Sequence, residues 1–204
     1  MKKNSWSILI IGLVVLFVGL AIYKSQTKKE LPKLAIFGPE GHIIGDYAFS
    51  SQTGKIVTPA DFEGKIYVAD YFFTTCHSIC PVMKVSMKSV YDKFKDNPNV
   101  KFLSHTVDPE TDSVPQLKLY SDTLNIDNNK WYFVTGDKKA LYSAARNFYL
   151  LAAEPGDGGP DDFIHTQNFA LVDKTKHIRG YYDGTKAEDI QKLMADINTL
   201  LSEE

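Results

Sequence analysis

One junction most constrains what this chain can fold into. An almost unbroken apolar run, residues 66–73, stops two residues short of Cys76-His77-Ser78-Ile79-Cys80-Pro81, and a helical stripe of apolar residues follows at once. A short apolar run without alternation is the pattern of a strand covered on both faces, and Asp70 is its one charged residue. Met83, Met87, Val90 and Phe94 then recur at helical spacing over residues 81–95, with Pro81 in the first turn, where its missing N–H is not needed. The motif thus lies between a central strand and a helix, at the carboxyl edge of an α/β sheet, where such sheets bind ligands.

The chain has two cysteines, both in this motif. Their spacing puts them one helical turn apart, close enough to form a disulfide or to hold one soft metal ion. As a structural staple the pair would do little, because so small a ring barely restricts the unfolded chain. A helix N-terminus favours the thiolate, which is both the nucleophile of disulfide exchange and a ligand for copper. Cys76, in the loop, is expected to be the more exposed sulfur. Two thiolates alone suit Cu(I), zinc or an iron-sulfur cluster, and a third ligand is needed to choose.

The remaining pattern reads as a β-hairpin (47–52 and 55–58, joined at Thr53-Gly54), a turn (59–65), strand 66–73, helix 81–95, strand 100–107, helix 114–124, strand 130–135 and helix 137–148. A loop rich in Gly and Pro (154–160), paired strands 167–172 and 177–182, and a C-terminal helix bearing Ile190, Leu193, Met194, Ile197 and Leu201 complete it. This order gives an α/β sheet with helices on its faces. It forms one domain over residues 45–204, after a Pro- and Gly-containing tether at 31–44.

The first thirty residues differ in kind. Lys2 and Lys3 precede an uncharged run, residues 7–23, that ends at Lys24, Lys28 and Lys29. It lacks an Ala-x-Ala cleavage site and no lipid-accepting cysteine follows, so it reads as an uncleaved membrane anchor through the lipid bilayer within residues 1–30. Lysines at both ends leave its orientation open. A net charge of -2 and the lack of a basic stripe exclude a nucleic-acid binder.

Five histidines are candidate third ligands. His165 is best placed, at the end of the Gly-rich loop and just before strand 167–172. His77 lies inside the motif and could add a ligand or perturb the thiols, His105 beside Asp108 reads as a satisfied core histidine, and His42 and His177 fall in loops or turns. Met83 and Met87 continue an apolar stripe with Val90 and Phe94, so they read as core rather than as thioether ligands.

Residues 64–76, the closing Cys80-Pro81, Val107-Asp108-Pro109-Glu110 within 104–112, and His165-Thr166 followed by Ala170-Leu171-Val172-Asp173 resemble the SCO/SenC family over about residues 45–200. That family comprises membrane-anchored, thioredoxin-like proteins that help assemble the copper centre of cytochrome c oxidase. The resemblance implies a thioredoxin-like fold with an N-terminal β-hairpin extension behind a single anchor helix. It implies one copper ion, Cu(I) or Cu(II), held by Cys76, Cys80 and His165, and a copper-accepting subunit of cytochrome c oxidase as partner. It also implies a cell-membrane location with the soluble domain on the extracytoplasmic (periplasmic) side. Two positions depart from many relatives: His77 replaces a proline, and Ile164 replaces an acidic residue before the histidine, with Asp161 and Asp162 slightly upstream.

Two functions follow from different classes. One is a copper-binding assembly factor. The other is a membrane-anchored thiol-disulfide oxidoreductase acting on the cysteines of a copper acceptor, with Cys76 attacking and Cys80 resolving. A peroxidase is disfavoured because no Thr-x-x-Cys surrounds a lone cysteine.

Overall fold

The computed structural model describes residues 4–26, 33–152, 156, 158–159 and 162–203. It divides into two compact units, residues 1–32 and 33–204. The first contains helix α1, Asn4–Gln26, of 23 residues. Its described side chains are Trp6 and residues 9–19, all exposed. Over those side chains alone, no helix is long and apolar enough to cross a membrane.

The second unit is a seven-stranded sheet flanked by helices. Its strands are β1 (Phe49–Ser51), β2 (Ile56–Val57), β3 (Ile66–Phe72), β4 (Val100–Thr106), β5 (Trp131–Thr135), β6 (Asn168–Val172) and β7 (Ile178–Asp183), in the order β2-β1-β5-β4-β3-β6-β7. β3, β4 and β5 run parallel, while β6 lies antiparallel to β3 on its other side. The β1–β2 hairpin joins antiparallel at β5. The helices are α2 (Cys80–Phe94), α3 (Val114–Asp122), α4 (Lys138–Ser143) and α5 (Ala187–Ser202).

All seven residues of β3 are buried, which explains a run with no polar alternation. Strand geometry sends alternate side chains to opposite faces. Ile66, Val68 and Phe72 join the core beneath α2, α3 and α5, whereas Tyr67, Ala69 and Tyr71 join the core that also holds Leu141 and Tyr142 of α4, Tyr149, Leu151 and Ile164. By the same parity Asp70 points to the α2 side.

Two expected elements differ in detail. The helix expected at 137–148 is α4 followed by a π-helical turn, Ala144–Phe148. Asp137 caps its start by accepting from the Ala140 N–H at 2.9 Å. The segment expected as a tether belongs to the second unit from Lys33 onward. Phe37 bridges to Ile178 and Ile44 is buried, contacts that Gly and Pro content does not reveal. Most of the Gly-rich loop 154–160 lies outside the described residues.

Met83 and Met87 are buried in the α2-side core. Met87→Ala should therefore lower stability by about 2–5 kcal/mol and the volume-matched Met87→Leu by less than about 1.5 kcal/mol, read by urea unfolding of residues 33–204. A loss under about 1 kcal/mol for the alanine variant would mean that Met87 does not pack as described.

Candidate functional site

β3 ends at Phe72, and the chain then turns back on itself, with the Cys76 N–H donating to the Phe73 carbonyl at 3.3 Å. Cys76 lies in this turn and Cys80 is the first residue of α2. Both are free thiols. By whole-residue area they are almost equally exposed, 9% and 8%, while the thiol of Cys80 lies deeper than that of Cys76, in line with the expectation that Cys76 is the more open sulfur.

Their electrostatics separate them further. Burial alone would raise the Cys76 thiol, but hydrogen bonds from the Cys80 side chain, the Ser78 hydroxyl and the backbone of Ser78 and Cys80 outweigh it and bring it down to about 7. The sulfur lies 3.5 Å from Ser78 Oγ. Cys80 is pushed up to about 12, first by burial and then by Cys76. One thiol is thus prepared to ionise near neutrality and the other to stay protonated beside it.

The two sulfurs open on a cavity of about 270 Å³ that also has Tyr71, Ile79, Ile164 and His165 in its wall. β6 lies next to β3, the placement His165 needed in order to share this edge. His165 is exposed, and its ring packs against Phe163 with centroids 4.8 Å apart. Among the described residues, no three His, Cys, Asp or Glu side chains stand close enough together to hold a metal ion. The structure therefore brings the dithiol together and gives His165 the same cavity, but not a coordinating distance. A larger groove of about 470 Å³ continues past His165 along Leu151, Phe163 and Gln167.

The other histidines sort differently. His77 is exposed. His105 is fully buried and stacks on Tyr71 at 4.7 Å; its Nδ1 lies 3.3 Å from the Asp70 carbonyl, while Nε2 has no partner among the described residues. It is a core histidine with one nitrogen satisfied, and burial pushes it down to about 3. His42 donates from Nε2 to the Phe148 carbonyl at 2.9 Å, and His177 Nδ1 meets Thr175 Oγ1 at 2.9 Å. Asp161 lies outside the described residues. Asp162 is engaged by Arg146 through two bonds of 2.8 and 2.7 Å, which holds its carboxyl below the usual range and assigns it to the loop rather than to His165.

Asp70 had no place among the expected site residues. It is 5% exposed, lines a small cavity with Cys80, and has Oδ1 unpaired among the described residues. Burial raises it to about 7 against the opposing hydrogen bond with Ser104. Its signal in the sequence was a lone charge inside a fully apolar strand.

A SCO1/SenC family model matches residues 38–202, a span that includes both cysteines and His165. The chain belongs to the SCO1/SenC family. A similar protein is the SCO1 protein homolog of Bacillus subtilis (strain 168), 29% identical over 164 residues that span 79% of this chain and 84% of that protein. The solved structure of BsSco, described as a member of the Sco family of cytochrome c oxidase assembly proteins with a disulfide switch, is 26% identical with a TM-score of 0.68. It covers 83% of this chain and 99% of its own. Bradyrhizobium japonicum ScoI with copper bound has a TM-score of 0.62 at 22% identity, covering 78% of this chain and 99% of its own. The mixed sheet with α2 behind the cysteine turn is the thioredoxin-like Sco fold.

Two outcomes follow from the site electrostatics. Alkylation of the reduced protein followed against pH should show Cys76 reacting with a midpoint near 7 while Cys80 stays inert through pH 9; equal rates at the two sulfurs would contradict the separation. Asp70 is easier to protonate folded than unfolded, so its favourable contribution is complete below about 4 and lost as pH rises to about 7. Asp70→Asn should then be more stable than the parent at pH 8 by roughly 1–4 kcal/mol, with the advantage shrinking toward pH 4. An advantage independent of pH in urea unfolding would contradict this account of the carboxyl.

Proposed function

We propose that this chain is a copper-binding assembly factor that delivers copper to a copper-accepting subunit of cytochrome c oxidase, using Cys76, Cys80 and His165 as ligands. The observation that carries the reading is the shared cavity: two sulfurs of opposite acidity and one imidazole line it, on a chain of the SCO1/SenC family. Two thiolates and an imidazole form a donor set suited to copper in either oxidation state. The sulfurs already face each other, whereas His165, exposed at the end of a loop, has to approach them.

The membrane part of the reading rests on the sequence. Residues 7–23 carry no charge within the 23-residue helix α1, and we assign them as an uncleaved anchor that keeps the soluble domain on the extracytoplasmic side. An oxidising compartment suits a dithiol whose two states differ in function.

A second reading, thiol-disulfide exchange on the cysteines of a copper acceptor, is favoured by one specific observation. A thiol brought down to about 7 beside one pushed up to about 12 is the arrangement of an attacking and a resolving sulfur. The two readings part at His165, which copper binding requires and dithiol exchange does not.

Residues 33–204 in reduced form should bind about one copper per chain, with a strong thiolate-to-Cu(II) absorption band. His165→Ala should change stability by no more than roughly 1 kcal/mol, lower copper affinity by at least about 10-fold to 100-fold, and leave the rate of exchange with a small disulfide nearly unchanged. A competition titration run beside an exchange assay decides the matter. Unaltered copper affinity in His165→Ala removes this residue from the site, and absence of the band in the parent removes the copper reading.

A further inference from the structure

The cysteine turn is tied down by a carboxylate from a different part of the chain. Asp112, on the connection from β4 to α3, is fully buried. It accepts the Thr74 backbone N–H at 3.1 Å, the Thr74 hydroxyl, and the Thr106 hydroxyl at 2.5 Å. Gln116 Nε2 donates to Thr74 Oγ1 at 3.5 Å from the first turns of α3. Thr74 lies two residues before Cys76, while Thr106 closes β4. The Val107 N–H also bonds the Phe72 carbonyl at 2.9 Å, which fixes the end of β3 against the end of β4.

We propose that Asp112 is a positioning residue that sets the place of Cys76 by holding Thr74 through both its backbone N–H and its hydroxyl. Three donors converge on this side chain, and an ionised carboxylate offers only acceptors, through bonds roughly twice as strong as neutral ones. An asparagine offers one acceptor oxygen in place of two and turns an amide N–H₂ toward groups that already donate. Cys76 Sγ meets Ser78 Oγ at 3.5 Å and its N–H bonds the Phe73 carbonyl only while the turn keeps its place, so slack at Thr74 passes directly to the sulfur. The copper consequence rests on the function proposed above, while the consequence for the bare thiol does not.

The test uses the full-length reduced chain and three variants: Asp112→Asn, Thr74→Val and Thr106→Val. Thr74→Val removes the hydroxyl bonded on the cysteine side. Thr106→Val removes a hydroxyl from the same carboxylate but leaves both of its bonds to Thr74 in place, and serves as the structural control. Without copper, iodoacetamide should modify Cys76 at least about threefold more slowly in Asp112→Asn and Thr74→Val than in the parent. With Cu(II), the same two variants should show a displaced thiolate band and release to a chelator faster by about tenfold or more. Thr106→Val should lower the melting temperature yet keep both readouts within about twofold of the parent. Should Asp112→Asn not fold, Thr74→Val alone carries the comparison. Parent-like alkylation in Thr74→Val, or the same change in Thr106→Val, overturns the proposal. A parent that binds no copper overturns the copper reading and leaves the alkylation result to judge Asp112.

Discussion

Pairing of β3 on both edges is the constraint from which the site follows. Ile66 to Phe72 is matched residue for residue with Val100 to Thr106 on one side, and Tyr67 to Ala69 is matched with β6 on the other. A one-residue slip would send Val68 to the wrong face and bring Ala69 under α2, exchanging every side chain between two filled cores. The carboxyl end of β3 therefore has one position available, and the cysteine turn starts from it. Because β6 is the other neighbour, the loop that precedes β6 must end at the same edge, which brings His165 to the cavity without any bond of its own to the thiols.

The same register explains how the two sulfurs come to differ. Parity places Asp70 beneath α2, level with Ser104, whose hydroxyl also accepts the Trp131 indole N–H at 2.9 Å. Cys80 begins α2 directly above this layer and shares a small cavity with Asp70, in surroundings that penalise charge. Cys76 sits in the preceding turn, buried to nearly the same extent by whole-residue area. Burial is common to both thiols. What divides them is that Cys76 receives hydrogen bonds from Ser78 and Cys80 that outweigh its burial, whereas Cys80 is raised first by burial and then by Cys76.

Sequence patterns revealed the parts of this arrangement that repeat with a period or break one. The apolar run of β3, the stripe of α2 and the face of α5 have regular spacing, and the cysteine motif lies where one period gives way to another. The local exceptions were harder to read. His105 was expected to be a satisfied core residue; it is core, but only one of its nitrogens is bonded. The π turn after α4 leaves no mark in a helical stripe, because Ala144 and Ala145 are buried as they would be in an α-helix. Asp112 and the Arg146–Asp162 pair connect positions 38 and 16 residues apart. Such links depend on the three-dimensional approach of segments, not on spacing along one of them, so their residues look like ordinary surface charges until the chain is folded.

A transferable ligand also imposes a physical condition on the site that carries it. If all donors were locked at coordinating distance, release would require the fold itself to yield; if none were held, binding would bear the whole cost of ordering them. On the copper reading proposed above, this chain divides the donors between the two cases. The sulfurs lie in the core and are held by β3, by α2 and, on our proposal, by Asp112. His165 lies outside it, exposed, with the Phe163 ring 4.8 Å away. The loop that carries it is fixed further back, where Asp162 accepts the Arg146 guanidinium and the Gly158 N–H at 2.8 Å. Ile164, buried in the core, seats the chain again directly before His165, so His165 alone forms a short arm at the cavity rim. On the copper reading, a short arm limits how far the imidazole has to travel while leaving it free to withdraw, so exchange with an acceptor can begin at His165 without disturbing either sulfur.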